Sequence, residues 1–93
     1  MSLSATVYSK PGCPGCTWSK SLLSQHDIPF IEHDVTTDPA AYDRLSAIYA
    51  DVRRGQPMAV PVTVLMSEQG LETVFGPVTR EHLRRWTRAA VAA

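Results

Sequence analysis

Apolar and polar positions along this chain change repeatedly from strand-like to helix-like spacing. Residues 5–9 are β-branched and aromatic, and they predict a first strand. Residues 13–26 predict a first helix, which an Asp-Ile-Pro run ends. The apolar residues of this helix at helical spacing are Trp18, Leu22 and Leu23. Residues 30–35 predict a second strand, which must be parallel to the first because a helix separates the two.

A second helix is predicted after this strand. Asp38 is a suitable N-cap, and Pro39 fits the first helical position, where its missing N–H costs nothing. The helix is predicted to end near Ala50. Its apolar stripe consists of Tyr42, Leu45, Ile48 and Tyr49. Residues 51–57 are polar and contain Gly and Pro, so they predict the main loop of the molecule.

Two further strands and a last helix complete the pattern. Residues 60–66 have the strongest strand composition. Residues 67–70 predict a turn that leads into a strand over residues 71–75, so the two strands are expected to form a hairpin. Thr79 can cap a last helix that has Glu81 in its first turn. The buried stripe of this helix is expected to consist of Leu83, Trp86 and Ala90, with its arginines on the other face.

The predicted order is therefore β-α-β-α-β-β-α, with no internal repeat. Parallel strands at the start and antiparallel strands at the end imply an α/β domain, in which a four-stranded mixed sheet is flanked by helices. The length suffices for one hydrophobic core and leaves no room for a second, so residues 1–93 are expected to form a single domain.

Charge and hydropathy argue against several classes of function. Nine lysines and arginines balance nine aspartates and glutamates, so no net field favours nucleic acid or a membrane surface as a partner. The N-terminus lacks the features of an export signal, and no apolar run is long enough to span a bilayer. We therefore expect a cytoplasmic protein that binds neither nucleic acid nor membranes.

The two cysteines of the chain, Cys13 and Cys16, are its most informative residues. A C-x-x-C pair between a strand and a helix puts the first sulfur over the helix N-terminus, where free N–H groups and the macrodipole favour the thiolate. Gly12 lets the backbone turn, Pro14 suits the first helical position, and Lys10 adds a nearby cation. Cys16 is expected one turn into the helix, partly shielded.

Three other interpretations of the pair are weaker than redox chemistry. A disulfide across two intervening residues removes little entropy from the unfolded chain, so a purely structural staple is not expected. A zinc site needs two more ligands, and the histidines, at positions 26, 33 and 82, lack the usual spacing. Chance placement is the third. In a reducing cytosol a cysteine pair is more often catalytic than structural, which favours thiol–disulfide exchange.

Two short motifs carry a resemblance to a known family. Residues 10–16 read K-P-G-C-P-G-C, and Val60-Pro61 opens the third strand. They resemble the K-P-x-C-P-x-C and T-V-P motifs of the glutaredoxin family, the short form of the thioredoxin fold. The resemblance implies this thioredoxin-like fold over nearly the whole chain. It also implies a cis Pro61 beside Cys13, with the backbone of Val60 free to pair with an extended thiol peptide.

Other residues depart from the family pattern. Gly15 stands where glutaredoxins usually carry an aromatic residue, and residues 75–79 replace the Gly-Gly and Ser/Thr-Asp that hold glutathione in the family. The Phe-x-Pro of this segment is closer to NrdH-redoxins, glutaredoxin-like proteins that draw electrons from thioredoxin reductase. The resemblance thus leaves thioredoxin reductase or glutathione as the electron donor. NADPH would act indirectly through a reductase, with no cofactor or metal bound to the chain.

The resemblance also indicates a mechanism and its residues. Cys13 is expected to attack a protein or low-molecular-weight disulfide, and Cys16 to resolve the mixed disulfide. The candidate substrate-binding residues are Lys10, Gln56, Val60, Pro61 and Thr79. We expect a monomer, and ribonucleotide reductase is a client implied by analogy alone.

Two alternative functions stay open at this point. Some glutaredoxins bind an iron–sulfur cluster as dimers, and small residues between the cysteines would open space over the sulfur for such a cluster. Binding or transfer of an iron–sulfur cluster is therefore one alternative. A non-catalytic adaptor that keeps the fold for partner binding is the other.

Overall fold

Four strands and three helices follow the chain in the predicted order, so the β-α-β-α-β-β-α topology is confirmed. The computed structural model describes residues 3–92, with side chains up to Arg88. The elements are β1 (Ser4–Ser9), α1 (Pro14–Gln25), β2 (Phe30–Asp34), α2 (Pro39–Val52), β3 (Val62–Ser67), β4 (Gly70–Phe75) and α3 (Arg80–Ala92).

The strands form one mixed sheet in the order β2-β1-β3-β4. β1 pairs in parallel with β2, where Ser9 lies opposite Asp34. β3 is antiparallel to both of its neighbours, and Val62 lies opposite Tyr8 of β1 and Phe75 of β4. The ends of β1, β2 and β4 and the start of β3 therefore meet at one end of the sheet, which we call the motif end.

A hydrophobic core lies on each face of the sheet. Because alternate residues of a strand face opposite sides, Val7 of β1 lies in one core and Tyr8 in the other. The core against α1 and α3 contains Ala5, Val7, Leu22, Leu23, Ile28, Leu65, Val74, Val78 and Leu83. The core against α2 contains Tyr8, Ala41, Leu45, Tyr49 and Val62. Each large side chain buried in this way contributes about 1.5–3 kcal/mol, so both cores fix the helices that carry the motif end.

Several element boundaries differ from the prediction. β3 begins at Val62 rather than at residue 60, because Pro61 has no N–H to donate to the strand ladder. α2 continues two residues past Ala50 to Val52, and β2 stops at Asp34. These shifts place residues 53–61 as one long connection that reaches the motif end.

Two aromatic residues at apolar positions of the predicted helices are half-exposed rather than part of a core. Trp18 is 47% exposed, and its indole N–H donates to the Val78 carbonyl oxygen at 2.9 Å. Tyr42 is 49% exposed, and Ala41, one position earlier on α2, is buried instead. The predicted burial of Ala90 falls on a side chain outside the described part of the structure.

Candidate functional site

The cysteine motif begins where β1 ends. Gly12 has a φ of +70°, a left-handed conformation that glycine adopts without strain, and it turns the chain into α1. Cys13 is the N-cap of α1 and Pro14 follows it at the first helical position, as predicted. The backbone N–H of Cys16 donates to Cys13 Sγ at 3.1 Å. The helix N-terminus thus directs an N–H group at the sulfur, and this N–H will stabilise a thiolate there after reduction.

The two sulfurs are joined as a disulfide. The Cα atoms of Cys13 and Cys16 are 5.2 Å apart. Cys13 is 9% exposed and Cys16 is 2% exposed, so Cys13 is the more accessible of the two. This difference suits an outer attacking cysteine and an inner resolving one.

Two prolines close over the motif at Gly15. The Val60–Pro61 peptide bond is cis, which confirms the expectation from the resemblance. A Cβ atom added to Gly15 would lie 3.2 Å from Pro61 Cδ and 3.1 Å from Pro77 Cγ, closer than ordinary contact. The missing side chain at Gly15 is therefore what lets both prolines approach the motif.

The backbone of Val60 lies beside this contact. Within described residues 3–92, neither its N–H nor its carbonyl makes a backbone hydrogen bond, whereas the Pro61 carbonyl accepts one from the Gly76 N–H at 3.0 Å. A free donor and acceptor next to the motif can pair with an extended peptide, in the manner of an added strand.

The connection that carries Val60 is fastened by Tyr49 of α2. The Tyr49 hydroxyl donates to the Ala59 carbonyl and accepts from the Ala59 N–H, both at 3.2 Å. Its ring meets the Phe75 ring edge to face, with centroids 5.3 Å apart. One side chain thus sets the position of the residue directly before Val60.

The segment before α3 is fastened to α1 in a similar way. The Val78 N–H donates to the buried Ser19 Oγ at 3.0 Å, and its carbonyl accepts from the Trp18 indole. Thr79 caps α3, as predicted, because its Oγ1 accepts from the His82 N–H at 3.1 Å. Sequence reasoning missed both contacts to Val78, since their partners are about sixty positions apart and no local pattern announces them.

A polar cleft of about 460 Å³ opens on the β2 side of the cysteines. The Ser9 hydroxyl donates to Glu32 Oε2 at 2.7 Å, and Lys20 Nζ lies 2.9 Å from the same oxygen. The Ser9 hydrogen bond, followed by that of Lys20, lowers the pKa of the Glu32 carboxyl. On the same strand, hydrogen bonds from Thr36 lower the pKa of Asp34. Both carboxyls are therefore charged at neutral pH.

The structure places the remaining candidate residues around this site. Lys10 is exposed and lines the cleft together with both cysteines. Gln56 is exposed in the 53–61 connection, where its Oε1 accepts from Arg53 at 3.4 Å. The Thr79 hydroxyl is engaged by the cap of α3. Substrate binding by these three residues and by Val60 and Pro61 stays a prediction.

Neither a metal cluster nor a membrane span is evident in the described part of the chain. Residues 3–92 contain no group of three or more His, Cys, Asp or Glu side chains placed to hold a metal ion. No helix among them is long and apolar enough to cross a bilayer.

Fold and site together define a thioredoxin-fold domain with a disulfide-forming cysteine pair at the start of a helix. The family model described as Glutaredoxin matches residues 5–68, well over half of the chain. The chain therefore belongs to the glutaredoxin family, as the resemblance of residues 10–16 implied. Its cysteine pair has the arrangement that thiol–disulfide redox chemistry uses.

Solved structures agree with this assignment. The thioredoxin-like protein BC3987 is 31% identical and superposes with a TM-score of 0.65, covering 87% of this chain and 96% of that one. NrdH-redoxin from Escherichia coli superposes with a TM-score of 0.64 at 20% identity, covering 87% and 92% of the two chains. The second likeness shows the fold alone.

Curated relatives include a group of longer proteins. The global transcriptional regulator Spx of Enterococcus faecalis is 35% identical over 70 residues, which are 75% of this chain and 42% of that protein. The Spx protein of Bacillus subtilis is 33% identical over 43 residues, which are 46% and 33% of the two chains. The chain thus spans less than half the length of these curated relatives.

Proposed function

We propose that this protein reduces protein or low-molecular-weight disulfides with its own dithiol. The observation that carries the proposal is the position of Cys13 Sγ at the start of α1, within hydrogen-bonding distance of the Cys16 N–H and bonded to Cys16. The helix-start N–H favours ionised sulfur, the reactive form, and the neighbouring cysteine is close enough to displace whatever Cys13 captures.

The reaction balances over two exchanges. The Cys13 thiolate attacks one sulfur of the substrate disulfide, forms a mixed disulfide and releases the other sulfur as a thiolate. Cys16, after losing its proton, attacks Cys13 and releases the second substrate thiolate. The substrate gains two electrons, its thiolates take up protons from solvent, and the protein ends as the Cys13–Cys16 disulfide.

The electron donor is the part of the proposal that needs a direct test. Thioredoxin reductase or glutathione would return the pair to the dithiol, with NADPH acting through the reductase. We supply NADPH with either thioredoxin reductase, or glutathione plus glutathione reductase, and follow NADPH oxidation with a model disulfide. Turnover with only one couple identifies the donor. Turnover with neither, or turnover retained in Cys13→Ser, would refute the proposed reaction and favour a non-catalytic adaptor.

The setting and the client follow from the same chemistry. A dithiol reductant works where thiols are kept reduced, so we propose that the protein acts in the cytoplasm. We further propose that it acts as a monomer. Its client is a disulfide-containing protein, and ribonucleotide reductase is one candidate by analogy. Mixed disulfides trapped on a Cys16→Ser variant test the client, because this variant cannot release what Cys13 has captured.

Packing at Gly15 bears on the iron–sulfur alternative. Small residues between the cysteines were expected to open space over the sulfur, but Pro61 and Pro77 occupy the space beside Gly15. Nothing in the packing therefore favours a cluster. Visible absorbance of the protein purified without oxygen tests this alternative directly.

A further inference from the structure

Arg53 is exposed and begins the 53–61 connection that carries Val60 and Pro61. Its guanidinium carbon is 4.4 Å from the centroid of the Phe75 ring. Phe75 pairs with Val62, the residue that follows Pro61, and Pro61 approaches Gly15 of the motif. Because Phe75 ends β4, the Arg53 guanidinium packs at the motif end of the sheet.

Arg80 is exposed and begins α3, three residues after Pro77. Its guanidinium carbon is 5.8 Å from the centroid of the Trp18 ring, and that indole is tied to Val78. Pro77, one residue earlier, approaches Gly15 from the α3 side. Stacking on an aromatic ring partly fixes the orientation of an arginine and leaves the edge of its guanidinium available to partners, of which Arg53 uses one N–H for Gln56 at 3.4 Å. We call Arg53 and Arg80 the arginine rim.

Neither rim arginine is neutralised within the described residues. No carboxylate there lies within 4.0 Å of either guanidinium. The three carboxylates near the end of β2 are each engaged elsewhere: Glu32 by Ser9 and Lys20, Asp34 by Thr36, and Asp38 by the N-cap of α2. Within the described residues the two rim arginines are thus exposed positive charges without a paired carboxylate.

We propose that the arginine rim selects a protein client whose disulfide-bonded cysteine is flanked on both sides by acidic residues. The inference rests on the proposed disulfide reduction and adds the substrate class. An extended client segment pairing with Val60 would project its flanking side chains toward Arg53 and Arg80, and guanidinium groups bind carboxylates with paired hydrogen bonds. Complementary charge at such a rim mainly raises the rate of productive encounter.

The test uses three dimeric peptide disulfides that differ only in the residues flanking one cysteine: glutamate, glutamine or lysine. The reduced protein is mixed with each peptide, and the released peptide thiol is quantified after acid quenching. The rim variant is Arg53→Gln/Arg80→Gln. The control variant is Arg44→Gln/Arg85→Gln, which removes the same charge from α2 and from the Arg85–Glu72 pair on α3 and β4.

The wild type should reduce the glutamate peptide about tenfold faster than the lysine peptide at about 50 mM salt, and the ratio should shrink at about 500 mM. The rim variant should lose this preference and the control variant should keep it, while all three proteins reduce the glutamine peptide equally well. Equal wild-type rates with the three peptides, or an equal loss of the preference in the control variant, would overturn this inference and leave the proposed disulfide reduction standing. No reaction with any peptide would overturn disulfide reduction itself.

Discussion

The Tyr49 hydroxyl is the clearest single atom on which to test how the site is held. Tyr49→Phe keeps the buried ring and its contact with Phe75 but removes both hydrogen bonds to Ala59. Each bond is worth about 0.5–1.5 kcal/mol. Both are long, and Ala59 is exposed enough for its backbone to regain water, so we expect the low end of the sum, about 1 kcal/mol.

Urea unfolding of the oxidised protein measures this loss. With a slope of about 1 kcal/mol per molar urea for so small a domain, the midpoint should fall by about 1 M. The matched control is Tyr42→Phe on the same helix. The Tyr42 hydroxyl makes no hydrogen bond to the described residues, so this substitution should leave the midpoint unchanged.

The same pair of variants tests the functional consequence. If Tyr49 positions the backbone that receives the substrate, Tyr49→Phe should lower kcat/KM for a peptide disulfide about threefold. Alkylation of Cys13 by a small reagent should be unaffected. Equal stability and equal kcat/KM in the two phenylalanine variants would refute the assigned role of Tyr49.

Three further substitutions test other parts of the structure. Ser19→Ala leaves the buried Val78 N–H without its acceptor and should cost about 1–3 kcal/mol in urea unfolding, whereas Ser21→Ala on the exposed face of the same helix should cost nothing. Gly15→Ala gains up to about 1 kcal/mol of helix propensity but overpacks two prolines at about 1–3 kcal/mol, so a net loss of stability and slower peptide reduction are expected. Glu32→Gln should cost about 1 kcal/mol or less at neutral pH, because the pKa of Glu32 is lowered in the folded state. The Glu32 carboxylate contributes fully to the free energy of unfolding above the unfolded-state pKa of 4.5, and this contribution disappears as the pH falls through the lower folded-state pKa. The difference in stability between Glu32→Gln and the wild type should therefore close in acid.

Each of these expectations has a contradicting result. A Ser19→Ala midpoint equal to that of Ser21→Ala would show that Val78 has another acceptor. A Gly15→Ala protein that is more stable and fully active would show that the two prolines yield freely. A difference in stability between Glu32→Gln and the wild type that stays constant with pH would show that the carboxyl makes no charge-dependent contribution to stability.

Much of the fold was readable from local pattern. The caps of α1 and α2, the hairpin of β3 and β4, and the order of the elements all depend on residues close together in the chain, and all are confirmed. Periodicity failed where a side chain found a distant partner. Trp18 has helical spacing typical of a core residue, yet it is half-exposed and its indole donates to Val78, sixty positions away.

The candidate site was predictable only in its covalent centre. Cys13 and Cys16 follow from a short motif, and their placement at a helix start follows from the preceding strand. The close approach of Pro61 and Pro77 to Gly15 joins three separate segments of the chain, and no spacing within any one of them indicates it. The same holds for the arginine rim, because Arg53 lies in the 53–61 connection and Arg80 begins α3.

The pH dependence of Cys13 alkylation tests the central claim most directly. The reduced wild-type protein and a Cys16→Ser variant are each treated with iodoacetamide across a range of pH. In the variant Cys13 is the sole thiol. An ordinary thiol titrates at about 8.5, and thiols at helix starts in C-x-x-C motifs fall to about 3.5–7.5. We predict a midpoint for Cys13 in the upper part of that lower range, near 7, and a midpoint at the ordinary value would contradict the account.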